Sequence, residues 1–182
     1  MLTAQVGMAV TADFGDAGSP FHPIHPPWKA EVGRRTALAG LNIVYGHADF
    51  PRSGPQLVAV HADAWQPSWG DYHFGFGSGV CSGAFLCLGL RLVFDQPVVL
   101  DETFGRLHGF PTGFELFFGS EFQPAVLTGL ANDHTVQLNA TWVYPGAPNE
   151  LRYGWHDYPI MLLSNSLGQP VGPFNLTLPT PQ

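Results

Sequence analysis

Charge is what this sequence is short of. Asp, Glu, Lys and Arg make up 12% of its 182 residues, about half the usual globular share. Seven are Lys or Arg against fourteen Asp or Glu, a formal net charge of −7. A nucleic-acid site needs clustered cations to displace counterions from successive phosphates, so nucleic acid is excluded as a partner. Long apolar runs are also lacking. No stretch approaches the roughly 18 to 20 consecutive apolar residues that cross a bilayer, and no basic N-terminal region precedes an apolar run. No membrane partner and no targeting signal are expected from the chain as it stands. Cysteine is limited to Cys81 and Cys87, six apart in an apolar, Gly-rich stretch. They read as two buried thiols on one strand face, with a strained local disulfide as the alternative. Gly75-x-Gly77-x-Gly79 lacks the flanking strand and helix of a dinucleotide fingerprint, and no Gly-Lys-Ser or Gly-Lys-Thr follows. No nucleotide or other cofactor is expected.

What is present is apolar and finely punctuated. Hydrophobic residues make up 45% and aromatics 13%, enough for a packed core, while 22 Gly and 17 Pro cut the chain into short pieces. Strands and turns are favoured over long helices. Val6, Met8, Val10 and Ala12 alternate with smaller or polar partners, which predicts a half-buried strand over Gln5–Asp13. The following FGDAGSPFHPIHPP holds four prolines and two glycines and reads as an ordered or functional loop. From Trp28 to Tyr45 the chain has no Pro, and Val32, Leu38, Leu41 and Val44 fall near helical spacing. One long helix is predicted there, with Pro27 in its first turn and Gly46 as its stop.

Beyond Gly46 the pattern changes. Phe50–Pro55 reads as a linker, which divides the chain into residues 1–49, a connection at 50–55, and residues 56–182. Candidate strands in the last part are Gln56–His61, Gly83–Phe94, Pro97–Leu100, Gly113–Phe118, Ala125–Leu130, Thr135–Val143 and Glu150–Trp155. Their spacing suggests an antiparallel sandwich or barrel. The aromatic stretch from Trp65 through Trp69, Tyr72, His73 and Phe74 to Phe76 reads as core or interface before it reads as a sugar-stacking platform. Asn139-Ala-Thr141 and Asn175-Leu-Thr177 fit the glycosylation pattern, which matters only if a longer parent enters the secretory pathway.

The chemistry-bearing segment is Val10–Gly46. A strand ending in Asp13 and Asp16, a proline-bound loop carrying His25 and a returning helix would set these residues beyond a strand's carboxyl end, where α/β sheets usually bind ligands. A histidine can take a proton from a serine hydroxyl, and a carboxylate on its other ring nitrogen fixes the tautomer. His22 and His25 share i, i+3 spacing, but the intervening prolines prevent a helix and no third ligand stands nearby, so no metal is expected. Lys29, Arg34 and Arg35 read as a solvated basic face rather than a carboxylate clamp. Asp133-His134 and His156-Asp157 read as neighbours on opposite faces of a strand, so neither pair forms a dyad by itself.

The run Asp13-x-x-Asp16, Ser19-Pro20-Phe21, Ile24-His25-Pro26, Lys29, Val32-Gly33, Arg35, Ala37-Leu38 and Tyr45-Gly46 resembles the last catalytic block of sialate O-acetylesterases, which are SGNH-type hydrolases. Leu151-Arg152-Tyr153-Gly154-Trp155 and Pro173-Phe174 extend the resemblance more weakly. The resemblance implies that His25 is the triad histidine. It also implies the end piece of an α/β SGNH-hydrolase domain at residues 1–49, followed by an antiparallel β-sandwich-like accessory domain at 56–182. The family often places the triad aspartate two or three residues before the histidine; those positions are Pro23 and His22 here. Asp16 or Asp13 would then fold back to orient His25, with Asp16 preferred, or the site would work as a dyad.

The nucleophilic serine and the Gly and Asn oxyanion donors of the family's earlier blocks have no counterpart before His25, and no Gly-x-Ser-x-Gly elbow occurs elsewhere. The chain therefore reads as a C-terminal piece whose catalytic segment lies in cis or in trans. The implied substrate is an O-acetylated sugar, sialic acid first among them. An acetyl-xylan-type esterase and a non-catalytic carbohydrate-binding β-domain are the alternatives. A lysosomal or secreted location follows if the parent carries a signal peptide.

Overall fold

The computed structural model describes residues 5–22, 25, 27–65, 86–101, 113–142 and 148–178. Two four-stranded antiparallel sheets dominate it. One has the order β1 (Leu57–Trp65), β2 (Leu86–Phe94), β7 (Thr135–Trp142), β6 (Val126–Asn132); the other is β10 (Phe174–Thr177), β8 (Glu150–Tyr153), β4 (Phe114–Phe117), β5 (Phe122–Pro124). A two-stranded ribbon pairs β3 (Val99–Leu100) with β9 (Leu163–Ser164).

Period-two patterning explains the layers. Along β2, Leu88, Leu90, Leu92 and Phe94 are buried while Arg91 between them is exposed. Val136 and Leu138 do the same about exposed Gln137 on β7, while on β4 Phe114 and Leu116 are buried and Glu115 between them is buried too, on the other face. These side chains join Leu151 and Tyr153 of β8 in a single cluster, so the inner faces of the two sheets share one core, as in a sandwich. Phe114, Tyr153 and Phe174 stand in register on three adjacent strands, with ring centroids 4.5 Å apart for Phe114–Tyr153 and 5.6 Å for Tyr153–Phe174. The Tyr153 hydroxyl accepts a hydrogen bond from the Leu163 N–H at 3.1 Å. Its polar end is thereby satisfied inside the core.

The one long helix, α1 (Lys29–Ile43), lies where the apolar spacing predicts it. Pro27 falls just before it, and the Pro27 carbonyl accepts the Lys29 N–H. Gly46, at φ 71°, donates its N–H to the Asn42 carbonyl, a left-handed stop that disfavours a residue with Cβ. Among the described residues no further helix follows α1.

Two expectations need correction. Residues 5–11 form no ladder, and Ala12–Phe14 make a single 3-10 turn. The alternation of Val6, Met8 and Val10 suits a strand, but strand backbone needs a neighbour for its N–H and C=O groups, and neither sheet includes this segment. Asp133 and His134 lie in the tight turn between β6 and β7, and His156 and Asp157 lie in the bend after β8, so none of the four sits on a strand. The Pro51–Pro55 connection is packed. Gln169 donates to the Pro51 carbonyl and Gln96 to that of Ser53, Gly54 and Pro55 are buried, and a Cβ on Gly54 would collide with the Pro170 carbonyl. Trp69 to Phe76 and Cys81 fall outside the described residues, as does the Gly75–Gly79 run. Trp65, the last residue of β1, and Cys87, the second of β2, are described by backbone alone.

Candidate functional site

The segment that carries His25 is tied down at both ends. Before it, Gly15 passes under the Tyr158 ring, whose hydroxyl donates to the Gly15 carbonyl at 2.8 Å. After it, α1 is anchored by Arg34, which donates to the Leu167 carbonyl at 2.8 Å. Both anchors sit on turns of the β-rich part, after β8 and after β9.

Within the loop, Asp16 Oδ1 accepts the Gly18 N–H at 2.8 Å, and the Asp16 carbonyl accepts the Ser19 N–H at 3.1 Å. Asp residues make such turns readily because the short carboxylate reaches a backbone N–H two residues on. Ser19 then donates its hydroxyl to the His25 carbonyl at 2.8 Å and accepts the Phe21 N–H. The His25 N–H returns to the His22 carbonyl at 3.0 Å. His22 is the one non-glycine residue in the left-handed region among those described, at φ 76°, a conformation that costs on the order of 1 kcal/mol. Asp16 and His25 are thus joined through Ser19 by a hydrogen-bonded frame. The His25 imidazole itself is exposed and makes no hydrogen bond among the described residues.

Asp13 is placed differently. Both of its carboxylate oxygens accept from Arg35, Oδ1 from Nη1 and Oδ2 from Nη2, each at 2.7 Å. Arg35 Nη1 also donates to the Val10 carbonyl at 2.8 Å, and Nε reaches Glu31 Oε1 at 3.3 Å. The guanidinium lies 4.1 Å from the centroid of the Phe14 ring. Arg35 is 5% exposed, and such burial costs several kcal/mol unless charge and hydrogen bonds replace the lost water. Here the fork-to-fork carboxylate, a carbonyl and an aromatic face replace it. Reading Lys29, Arg34 and Arg35 as one solvated face therefore fails at Arg35. Arg34 stays on the surface, paired with Glu31.

A second polar cluster lies on the outer face of the β10–β8–β4–β5 sheet. Glu115 pairs across the strands with Arg152 at 2.8 Å and with His156 at 3.2 Å, and Arg152 stacks 3.4 Å from the Phe122 centroid. Within the weaker stretch of the resemblance, Tyr153 and Phe174 are cross-strand partners and Gly154, at φ 63°, ends β8. Among the described residues no group of three His, Cys, Asp or Glu side chains could hold a metal ion, and no helix is long and apolar enough to cross a membrane.

These features define a β-rich antiparallel structure with one helix and a histidine-bearing loop on its flank. No family model matches the sequence, and no curated protein matches it significantly. Among solved structures the chain is similar to a carbohydrate acetylesterase from Xanthomonas citri, at 26% identity with a TM-score of 0.60. The likeness covers 92% of this chain but 31% of that one, so the chain spans less than a third of that protein's length.

Proposed function

We propose that this chain is the C-terminal part of a carbohydrate acetylesterase and that His25 is its catalytic base. The likeness over 92% of the chain to a carbohydrate acetylesterase carries this reading. The exposed His25 on a hydrogen-bonded loop supports it. In the assembled enzyme a serine from the remaining catalytic segment, in cis or in trans, attacks the acetyl carbonyl. His25 takes the serine proton as the new C–O bond forms, then gives it to the sugar oxygen as the bond between that oxygen and the acetyl carbon breaks. Water, deprotonated by His25, releases acetate and restores the serine. Asp16 is the preferred orienter, because both oxygens of Asp13 are engaged by Arg35. O-acetylated sialic acid is the first substrate to test, on the resemblance of the Asp13–Gly46 block to sialate O-acetylesterases.

A catalytic segment in cis or in trans would have apolar side chains to cover. Val6, Met8, Phe21, Trp28, Val44 and Tyr45 are 61–75% exposed, all within residues 5–45. A partner sheet laid on them would remove that apolar area from water.

Acetate release from acetylated sialic acid, or from an aryl acetate, tests the reading in the chain alone and in the chain joined to its catalytic segment. The chain alone should not exceed free imidazole, since among the described residues no positioned nucleophile or oxyanion donor stands by His25. In the joined protein, His25→Ala should lower turnover by about 10³-fold or more. Turnover within about tenfold of the parent would remove His25 from the mechanism.

A further inference from the structure

We propose that Arg35 is a positioning residue: with Asp13 it forms a buried latch that closes the base of the loop carrying His25. The inference rests on the reading of His25 as the catalytic base. The loop leaves the 3-10 turn at Phe14 and enters α1 at Lys29. Arg35, one and a half turns into α1, binds Val10 and Asp13 just before the loop begins and lies against Phe14. A single guanidinium therefore fixes the entry segment of the loop to the helix that ends it. Its Nε bond to Glu31, one turn back on α1, fixes the direction of the Arg35 side chain. Apolar packing shares the work in part: α1 buries Leu38 and Ala39 besides Arg35, and Gly7 of the entry segment lies close against Ala39 and Ile43.

The loop needs such a latch because, past the Tyr158 hydrogen bond to the Gly15 carbonyl at its start, its contacts are local and exposed. Those of Asp16, Ser19 and His22 run within the loop and hold its shape without holding it to the scaffold. Small displacements of a catalytic base, near 1 Å, can cost on the order of 10²-fold in rate. Asp13 thus acts on His25 through Arg35 rather than by bonding the imidazole. A carboxylate that only oriented the ring would have no use for a bidentate cation.

Arg35→Met, Arg35→Lys, Asp13→Asn and the Arg35→Met/Asp13→Asn pair test this in the 182-residue chain and in the joined enzyme. In the chain, backbone amide exchange at Gly18, Ser19 and His25 should rise about tenfold or more in Arg35→Met and Asp13→Asn, while amides of β2, β7 and β8 stay unchanged. In the joined enzyme, kcat should fall on the order of 10²-fold with KM within about threefold. Arg35→Lys, which keeps a cation, should recover part of that loss. The pair should be no worse than the poorer single variant, as expected for two parts of one contact. Asp13→Asn changes shape least and decides the matter if Arg35→Met does not fold. Unchanged exchange, or raised exchange with unchanged kcat, overturns the latch. If His25→Ala leaves turnover intact, the catalytic reading has failed instead, and the exchange data alone then judge whether the latch exists.

Discussion

On β2, Leu88, Leu90, Leu92 and Phe94 are each at most 2% exposed, whereas Val6, Met8, Phe21, Trp28, Val44 and Tyr45 stand mostly in solvent. Both regions are rich in apolar residues, and both show the periodicity of a structure that buries one face. The difference is a second layer. Strands β2 and β7 face β4 and β8 across a common core, while among the described residues the hydrogen bonds that tie 5–45 to the rest include Arg34 to Leu167, Tyr158 to Gly15, and Asn42 to Phe50 and Arg52. Periodicity records which face a segment is built to bury. Burial itself depends on whether the opposing layer is at hand.

Aromatic truncation should break the two regions apart most sharply. Phe114 is fully buried against Tyr153 and Phe174, so Phe114→Ala should destabilise the fold by about 3–5 kcal/mol. Phe21 is 70% exposed, and Phe21→Ala should cost less than about 0.5 kcal/mol. Urea denaturation of the two variants measures both. A large loss from Phe21→Ala would mean that the N-terminal part already buries its apolar face in solution, and the contrast would disappear.

Alkaline titration sharpens the comparison from the core side. Burial, the first cause, pushes the Tyr153 hydroxyl well above its ordinary value of 10.0, against hydrogen bonds from the backbone at Leu163 and Leu162 that lower it; the charge of Asp13 adds a small further rise. A raised value favours the neutral phenol in the folded state, so this contribution is fully present below about pH 10 and is lost as the unfolded chain ionises above it. Folding stability should fall by about 1.4 kcal/mol per pH unit between pH 10 and 12 from this group. Tyr153→Phe should remove that slope while costing about 1–2 kcal/mol at neutral pH, because the Leu163 N–H loses its acceptor. Equal slopes in parent and variant would show that Tyr153 ionises freely.

The sandwich was legible in the sequence where alternation was strong and strands were long. Leu86–Phe94 and Thr135–Trp142 fall within the segments picked out by their apolar runs and turn residues. The β5, β9 and β10 strands did not stand out, since two to four residues ending at Pro124 or lying just after Pro173 carry too little period to distinguish from loop. The first segment was overread for the opposite reason, its alternation being clear and its partner strand missing from either sheet. At the candidate site the loop and the helix follow from the proline content and the helical spacing of Val32, Leu38, Leu41 and Val44. Arg35 was misread because its burial comes from Asp13, 22 positions earlier in the chain, and a local cluster of three cations gives no sign of such a partner. The available signals were Glu31 four residues before it on the helix and a carboxylate at the end of the preceding segment.

The smallest effect probes the N-terminal side by acid. The hydrogen bond from Arg34 is the largest influence on Glu31; burial, the next, opposes it, and with the charges of Arg34 and Arg35 the carboxyl is held below its ordinary 4.5. A lowered value favours the carboxylate in the folded state. Its contribution is therefore present above about pH 4.5 and lost as the pH falls through the folded value. Glu31 and Arg34 are three residues apart on a solvent-facing helix surface, so the pair should contribute only about 0.3–0.5 kcal/mol. That is enough to act locally, because α1 is attached chiefly by polar bonds. Between pH 6 and pH 3, opening of α1 followed by amide exchange, corrected for the intrinsic rate, should become about twofold easier in the parent. In Glu31→Gln the change over that range should be smaller, and the protection of β2 and β7 should not respond to the substitution. If Glu31→Gln weakens the core strands as much as α1, the two regions open as one cooperative unit, and the contrast between a closed core and a polar-tethered flank is wrong.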